Sequence, residues 1–155
     1  MKRNENLIPL SREHHFGLLC SWKIREGIKL GIEFERIKDY INYFWSERLQ
    51  HHFNAEDTVF EPIKKDDSFF VMEREHDEIE KLIALINQSN NSDLLIEFAD
   101  ALQNHIRFEE RELFPHLEQT LTKNELSSIG KKLSNLIIEG EDKYADEFWK
   151  HSKKY

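Results

Sequence analysis

Apolar side chains recur along this chain at three- and four-residue steps, separated by short polar breaks, which is the period of helices with one buried face. The clearest run predicts a helix over about residues 33–61, where Ile37, Ile41, Phe44 or Trp45, Arg48, His52, Ala55 or Glu56 and Val59 share one stripe. Pro62 ends that run, because the residue before a proline is pushed out of the helical region. Ahead of it, Ser11 as N-cap and Gly31 as stop bound a first helix. After it, the Asp66-Asp67-Ser68 cluster opens a third helix to about Asn87, with Met72, His76, Ile79, Ile83 and Ile86 in register. Ser92 or Asp93 opens a fourth, carrying Leu95, Phe98, Leu102, His105, Glu109 and Leu113. The capping-box pattern from Thr122 to Glu125 begins a last helix, whose Leu126, Ile129, Leu133, Leu136, Ile137, Tyr144 and Phe148 would cover the others. The predicted fold is all-α: an up-down antiparallel four-helix bundle over about residues 7–120, with an additional C-terminal helix over about 122–153, in a single domain spanning 1–155.

The stripes are not purely apolar. His52, Glu56, His76, His105 and Glu109 all fall on predicted core faces. They belong to an internal repeat in which His52 and His105 are each followed by a glutamate at +4 and a proline at +10. An Arg-Glu-His triplet precedes each copy, at residues 12–14 and 74–76. Residues four apart stack on one helix face, so each His-x-x-x-Glu pair aims an imidazole and a carboxylate at the same part of the core. A core carboxylate is expensive without a positive partner, and no Lys or Arg repeats with both pairs. Two divalent metal ions would supply the charge. Imidazole with carboxylate suits iron, with manganese and zinc as alternatives, and glutamates can bridge metals roughly 3.5–4 Å apart.

A lone histidine on an apolar stripe is more often a hydrogen-bonded core residue than a ligand, and it is the repetition that overrides this. The first helix offers adjacent His14 and His15, about 100° apart around the axis. The Arg-Glu-His match favours His14. Core register favours His15, which Leu18, Leu19 and Trp22 follow at helical steps, and register is given more weight. Glu80, four after His76, is a weaker candidate; His51, His116 and His151 are weaker still. Phe53 and Phe108, each beside a candidate ligand, would shield the centre from water.

Composition narrows the setting. A net charge of -8, from 30 acidic and 22 basic side chains, argues against nucleic acid and anionic membrane as partners. Cys20 is the only cysteine, so neither an intrachain disulfide nor a thiolate metal cluster can form. No signal-length or membrane-length apolar run is present, and a cytoplasmic location is expected.

These motifs resemble the hemerythrin-like, or HHE cation-binding, family over about residues 7–120. The resemblance implies a four-helix bundle with two non-haem irons of the oxo-bridged (Fe-O-Fe) type. His15 or His14, His52, His76 and His105 would be terminal ligands, and Glu56 and Glu109 would bridge. Two departures shape the expected role. The oxygen carriers of the family have His-x-x-x-His on the third helix, where this chain has His76 and Glu80. They also place an Asp five after the last helix's histidine, where Glu109 here stands four after His105. The expectation is therefore a di-iron protein that senses or scavenges a small ligand (oxygen, nitric oxide or peroxide), served by a redox partner. The alternatives are a di-iron oxidase or peroxidase, and a metal-free helical interaction module.

Overall fold

The first helix begins before its polar signals. In the computed structural model, which describes residues 2–63, 66–137 and 143–150, α1 runs Ile8–Lys29. Pro9 sits in its first turn, where a missing N–H has no intrahelical partner to lose. Ser11, expected as the N-cap, lies inside the helix, and its hydroxyl donates instead to Glu110 Oε2 at 2.7 Å. The stop is where the sequence puts it: Gly31 takes a left-handed φ of 69°, and Ile32 N–H bonds back to Gly27 O at 3.0 Å.

The next predicted helix is one rod in three parts. α2 (Phe34–Phe44) and α3 (Gln50–Phe60) are joined by a π-helical turn, Trp45–Leu49, in which Gln50 N–H reaches Trp45 O. The extra residue turns a four-residue step into five, so the buried side chains run Phe44 to Leu49, and Arg48 moves from the predicted stripe to its rim. A short 3-10 turn, Glu61–Ile63, holds Pro62. α4 (Asp67–Asn87) starts at an N-cap in which Asp66 accepts from Ser68 N–H at 3.0 Å.

α5 (Asp93–Phe108) passes through a second π turn, Glu109–Leu113, into α6 (Phe114–Thr120). Pro115, the repeat's second proline, falls in the first turn of α6, so the rod continues to Thr120. α7 (Lys123–Leu136) opens with both bonds of the predicted capping box. It stops at Leu136 rather than near residue 153. Residues 138–142 and 151–155 lie outside the described residues, and so does the candidate His151. Tyr144 and Phe148, expected on the last helix, lie in a non-helical segment, where Phe148 and Trp149 pack on Tyr40. The Lys23 ammonium lies 4.2 Å from the centre of the Trp149 ring.

These rods form an all-α, up-down antiparallel bundle with α7 as the addition. α5 lies between α1 and α4, and α7 packs across α3 and α1. Two apolar clusters fill it. One, around Cys20, Ile24, Tyr40, Phe44, Ile79, Phe98 and Leu102, occupies the end nearer the α1–α2 turn. The other, around Leu10, Val59, Phe60, Met72, Leu113 and Phe114, lies beneath α7. Each long rod contributes to both clusters, and at or near the boundary between its two contributions each carries a buried histidine. No helix among the described residues is long and apolar enough to cross a membrane.

Candidate metal centre

His14 is the α1 histidine that enters this layer. The buried stripe of α1 is Leu10, His14, Gly17, Cys20 with Ser21, and Ile24, whereas His15 is exposed and rests against Phe16. The preference for His15 is thus corrected. It rested on Leu18 and Trp22 being core residues, and these are 40% and 49% exposed. Gly17 explains the offset: a Cβ there would lie 2.5 Å from Ile106 Cδ1, so α1 meets α5 along a face of small residues that apolar periodicity does not mark. The Arg-Glu-His match pointed to His14, the histidine that the structure buries.

α3 supplies His52 and Glu56, α4 supplies His76, and α5 with its π turn supplies His105 and Glu109. All five are buried, both glutamates completely. The donor atoms form two groups, each within 4.8 Å: His14, His52, Glu56 and Glu109, and then Glu56, His76, His105 and Glu109. Both carboxylates are common to the two groups. His14 Nε2 lies 2.7 Å from Glu109 Oε1 and His76 Nε2 lies 3.1 Å from Glu56 Oε1. His52 Nε2 and His105 Nε2 stand 3.4 Å from the nearest oxygens of Glu56 and Glu109, too far for good hydrogen bonds.

Three acidic residues that sequence reasoning did not single out hold the imidazoles from behind. Glu110 Oε2 takes His14 Nδ1 at 2.7 Å and Glu75 Oε1 takes His105 Nδ1 at 2.9 Å. Asp57 Oδ1 stands 3.5 Å from His76 Nδ1. A signal for two of them was present, because each repeat glutamate is followed by a second acid, Glu56-Asp57 and Glu109-Glu110. Such outer carboxylates fix the ring and its tautomer, so Glu75→Gln is expected to weaken metal binding about 10–100-fold without changing the number of ions held. A competition titration against a chelator of known affinity measures this.

Aromatic rings close the layer. Phe53 stacks on His76 with centroids 3.8 Å apart, and Phe114 lies parallel to His14 at 5.5 Å. Phe108, expected to share this role, is only partly buried, against the cluster beneath α7. Glu80 and His51 are exposed, and His116 pairs with Asp66 at 2.7 Å, so none of the three joins the centre.

The charges of the layer are mutually dependent. Burial alone pushes the His14 imidazole down, but hydrogen bonds to Glu109 and Glu110 outweigh it and hold the group above its ordinary range. His52 is likewise held well above that range, burial being overcome by the charge of Glu56. His76, opposed by burial and supported by Asp57 and Glu56, is raised to about 10. Burial pushes the Glu56 carboxyl up, yet His52 beside it keeps it well below the usual carboxylate range. In the metal-free protein the three raised imidazoles and the lowered Glu56 carboxyl thus favour one another's charged forms.

The donor set fits a metal pair on a second count. His52 Nε2, His105 Nε2, Glu56 Oε2 and Glu109 Oε2 are buried without a hydrogen-bond partner, and all four belong to the shared groups. Buried polar atoms are rarely left so unless another ligand uses them. The family model described as hemerythrin HHE cation binding domain matches residues 13–117. No curated protein and no solved structure matches the chain.

Proposed function

The chain belongs to the hemerythrin HHE cation-binding domain family, and from that premise we propose that it holds two non-haem iron ions in its core and senses or scavenges oxygen, nitric oxide or peroxide there. The observation that carries this reading is the sharing of Glu56 and Glu109 between two donor groups, each completed by two histidines. His14 and His52 would hold one ion, His76 and His105 the other, and the carboxylates would bridge them. Nitrogen and carboxylate oxygen donors favour iron, with manganese and zinc as the competing ions. When bound, the pair supplies Lewis acidity, and as iron it also supplies reversible electron transfer.

The rest of the chemistry belongs to the side chains. With Nδ1 of His14 and His105 held by Glu110 and Glu75, an arriving metal would displace any proton on Nε2 and take the lone pair of the nitrogen that faces inward. Phe53 and Phe114 exclude water from His76 and His14. A cavity of about 10 Å³ borders His14, His52 and His105 and is lined also by Phe44, Leu49 and Leu102 among others. That volume is of the order needed by one water-sized molecule. It supports binding of a diatomic or peroxide over oxidation of an organic substrate. Exposed Glu80 leaves α4 with His76 as its inward donor, and four imidazoles for two ions leave coordination positions for such a ligand.

The test is anaerobic reconstitution with ferrous iron, followed by metal analysis and absorption spectroscopy. About two irons per chain are expected, by the two-metal logic above. Ferric charge-transfer bands should appear on oxidation, and the ferrous spectrum should change on adding nitric oxide. A reconstituted protein that retains no iron would sink the proposal. A redox partner is expected to return the ferric centre to the ferrous state.

A further inference from the structure

We propose that Glu13 and Arg48 form a gate between a surface pocket and the cavity at the metal centre, and that neutral diatomic ligands enter through it. The inference rests on the small-ligand reading above and adds the route and the residues that control it. Two spaces define the route. The inner cavity, about 10 Å³, touches His14, His52 and His105. A larger pocket of about 610 Å³ opens at the surface and is lined in part by Arg12, His15, Phe16 and Ile137. Glu13 and Arg48 are the two residues that line both.

The pair is built to close the passage without locking it. Arg48 Nη1 stands 3.6 Å from Glu13 Oε2, a contact between charges too long to be a good hydrogen bond. Both side chains are largely covered, at 11% and 16% exposure, so they occupy the passage instead of lying flat on the surface. The Arg48 guanidinium lies 3.9 Å above the Phe16 ring, which holds it across the opening. Rotating Arg48 outward breaks its contacts with Glu13 and Phe16, and the outer pocket has space to receive the side chain. The position of Arg48 follows from the π turn Trp45–Leu49: the five-residue step from Phe44 to Leu49 places Leu49 on the cavity wall and Arg48 at its mouth. Helix interruptions of this kind are frequent where a helix serves a site. Charged side chains over an apolar throat disfavour hydrated cations and bulky chelators but leave an uncharged molecule of two atoms little to overcome.

Two measurements on Arg48→Met and Glu13→Gln test the gate. The first follows deuterium exchange at the imidazole C2 position by mass spectrometry in the metal-free protein, which reports solvent access to each ring. The second follows nitric oxide association with the ferrous iron-loaded protein by stopped flow. Opening the gate is expected to raise His52 exchange and nitric oxide association about tenfold, as for removal of a lid. His76, which does not line the cavity, should exchange as before, and iron content should not change. Unaltered His52 exchange in a folded variant overturns the gate. If the protein takes up no iron, the exchange arm still decides the route, and the metal reading fails on its own evidence. Should Arg48→Met not fold, Glu13→Gln, isosteric and near the surface, carries both measurements.

Discussion

Glu109→Gln is expected to abolish binding of both metal ions, whereas His105→Ala should remove one. The glutamate belongs to both donor groups and the histidine to only one, so the two substitutions differ in count and not merely in strength. Glutamine keeps the volume of a completely buried side chain but removes the charge that offsets two cations and one of its two acceptor oxygens. Metal analysis after reconstitution and gel filtration should give a ratio falling from about two to near zero for Glu109→Gln and for Glu56→Gln, and to about one for His105→Ala. Far-ultraviolet circular dichroism should remain helical in each, since none of the three changes removes a member of the two apolar clusters. An equal loss of metal from all three variants would mean that the carboxylates do not bridge.

Metal loading should raise the melting temperature substantially, and by more at pH 8.5 than at pH 6. An ion pair present at 100 to 1,000 times its dissociation constant stabilises the folded state by about 3–4 kcal/mol per site. For a chain of this length each kcal/mol corresponds to about 2–4 °C. A rise of about 10 °C or more, reversed by a chelator, is therefore expected by calorimetry or thermal fluorescence. The pH dependence follows from the histidines. His14, His52 and His76 are raised above the ordinary 6.5, so below that value their protons stabilise the metal-free fold in full. As pH climbs through the folded values, about 10 for His76, that contribution is lost. The metal needs those same nitrogens unprotonated, so its binding strengthens over the same window and the gap between loaded and metal-free protein widens. Glu56 works in the opposite sense: held below its ordinary 4.5, it supports the fold above that value and stops doing so as acid protonates it. A metal-free interaction module would show no change in melting on adding iron or chelator at either pH.

Much of this protein is determined by sequence alone, because local chemistry has a local period. The helices, the Gly31 stop, the Asp66 cap and the Thr122–Glu125 capping box follow from residues within one turn of each other. The repeated His-x-x-x-Glu pairs follow in the same way, since a spacing of four puts two side chains on one face whatever the helix packs against. Other features depend on partners distant in the chain. Which of His14 and His15 turns inward was decided by the close approach of α1 to α5 at Gly17, where apolar residues on the other face misled the register. The two π turns are likewise not marked by apolar periodicity. They shift the buried face by one residue in mid-rod, and Arg48 and Pro115 take roles that a straight helix would not give them. The outer carboxylates reach across helices, Glu110 from the rod of α5 to α1 and Glu75 from α4 to α5, and such pairings exist only once the bundle is assembled. A helix stripe in the sequence fixes which face is buried to within a residue or so; packing against a neighbour resolves that residue, and at this centre it separates a donor from a bystander.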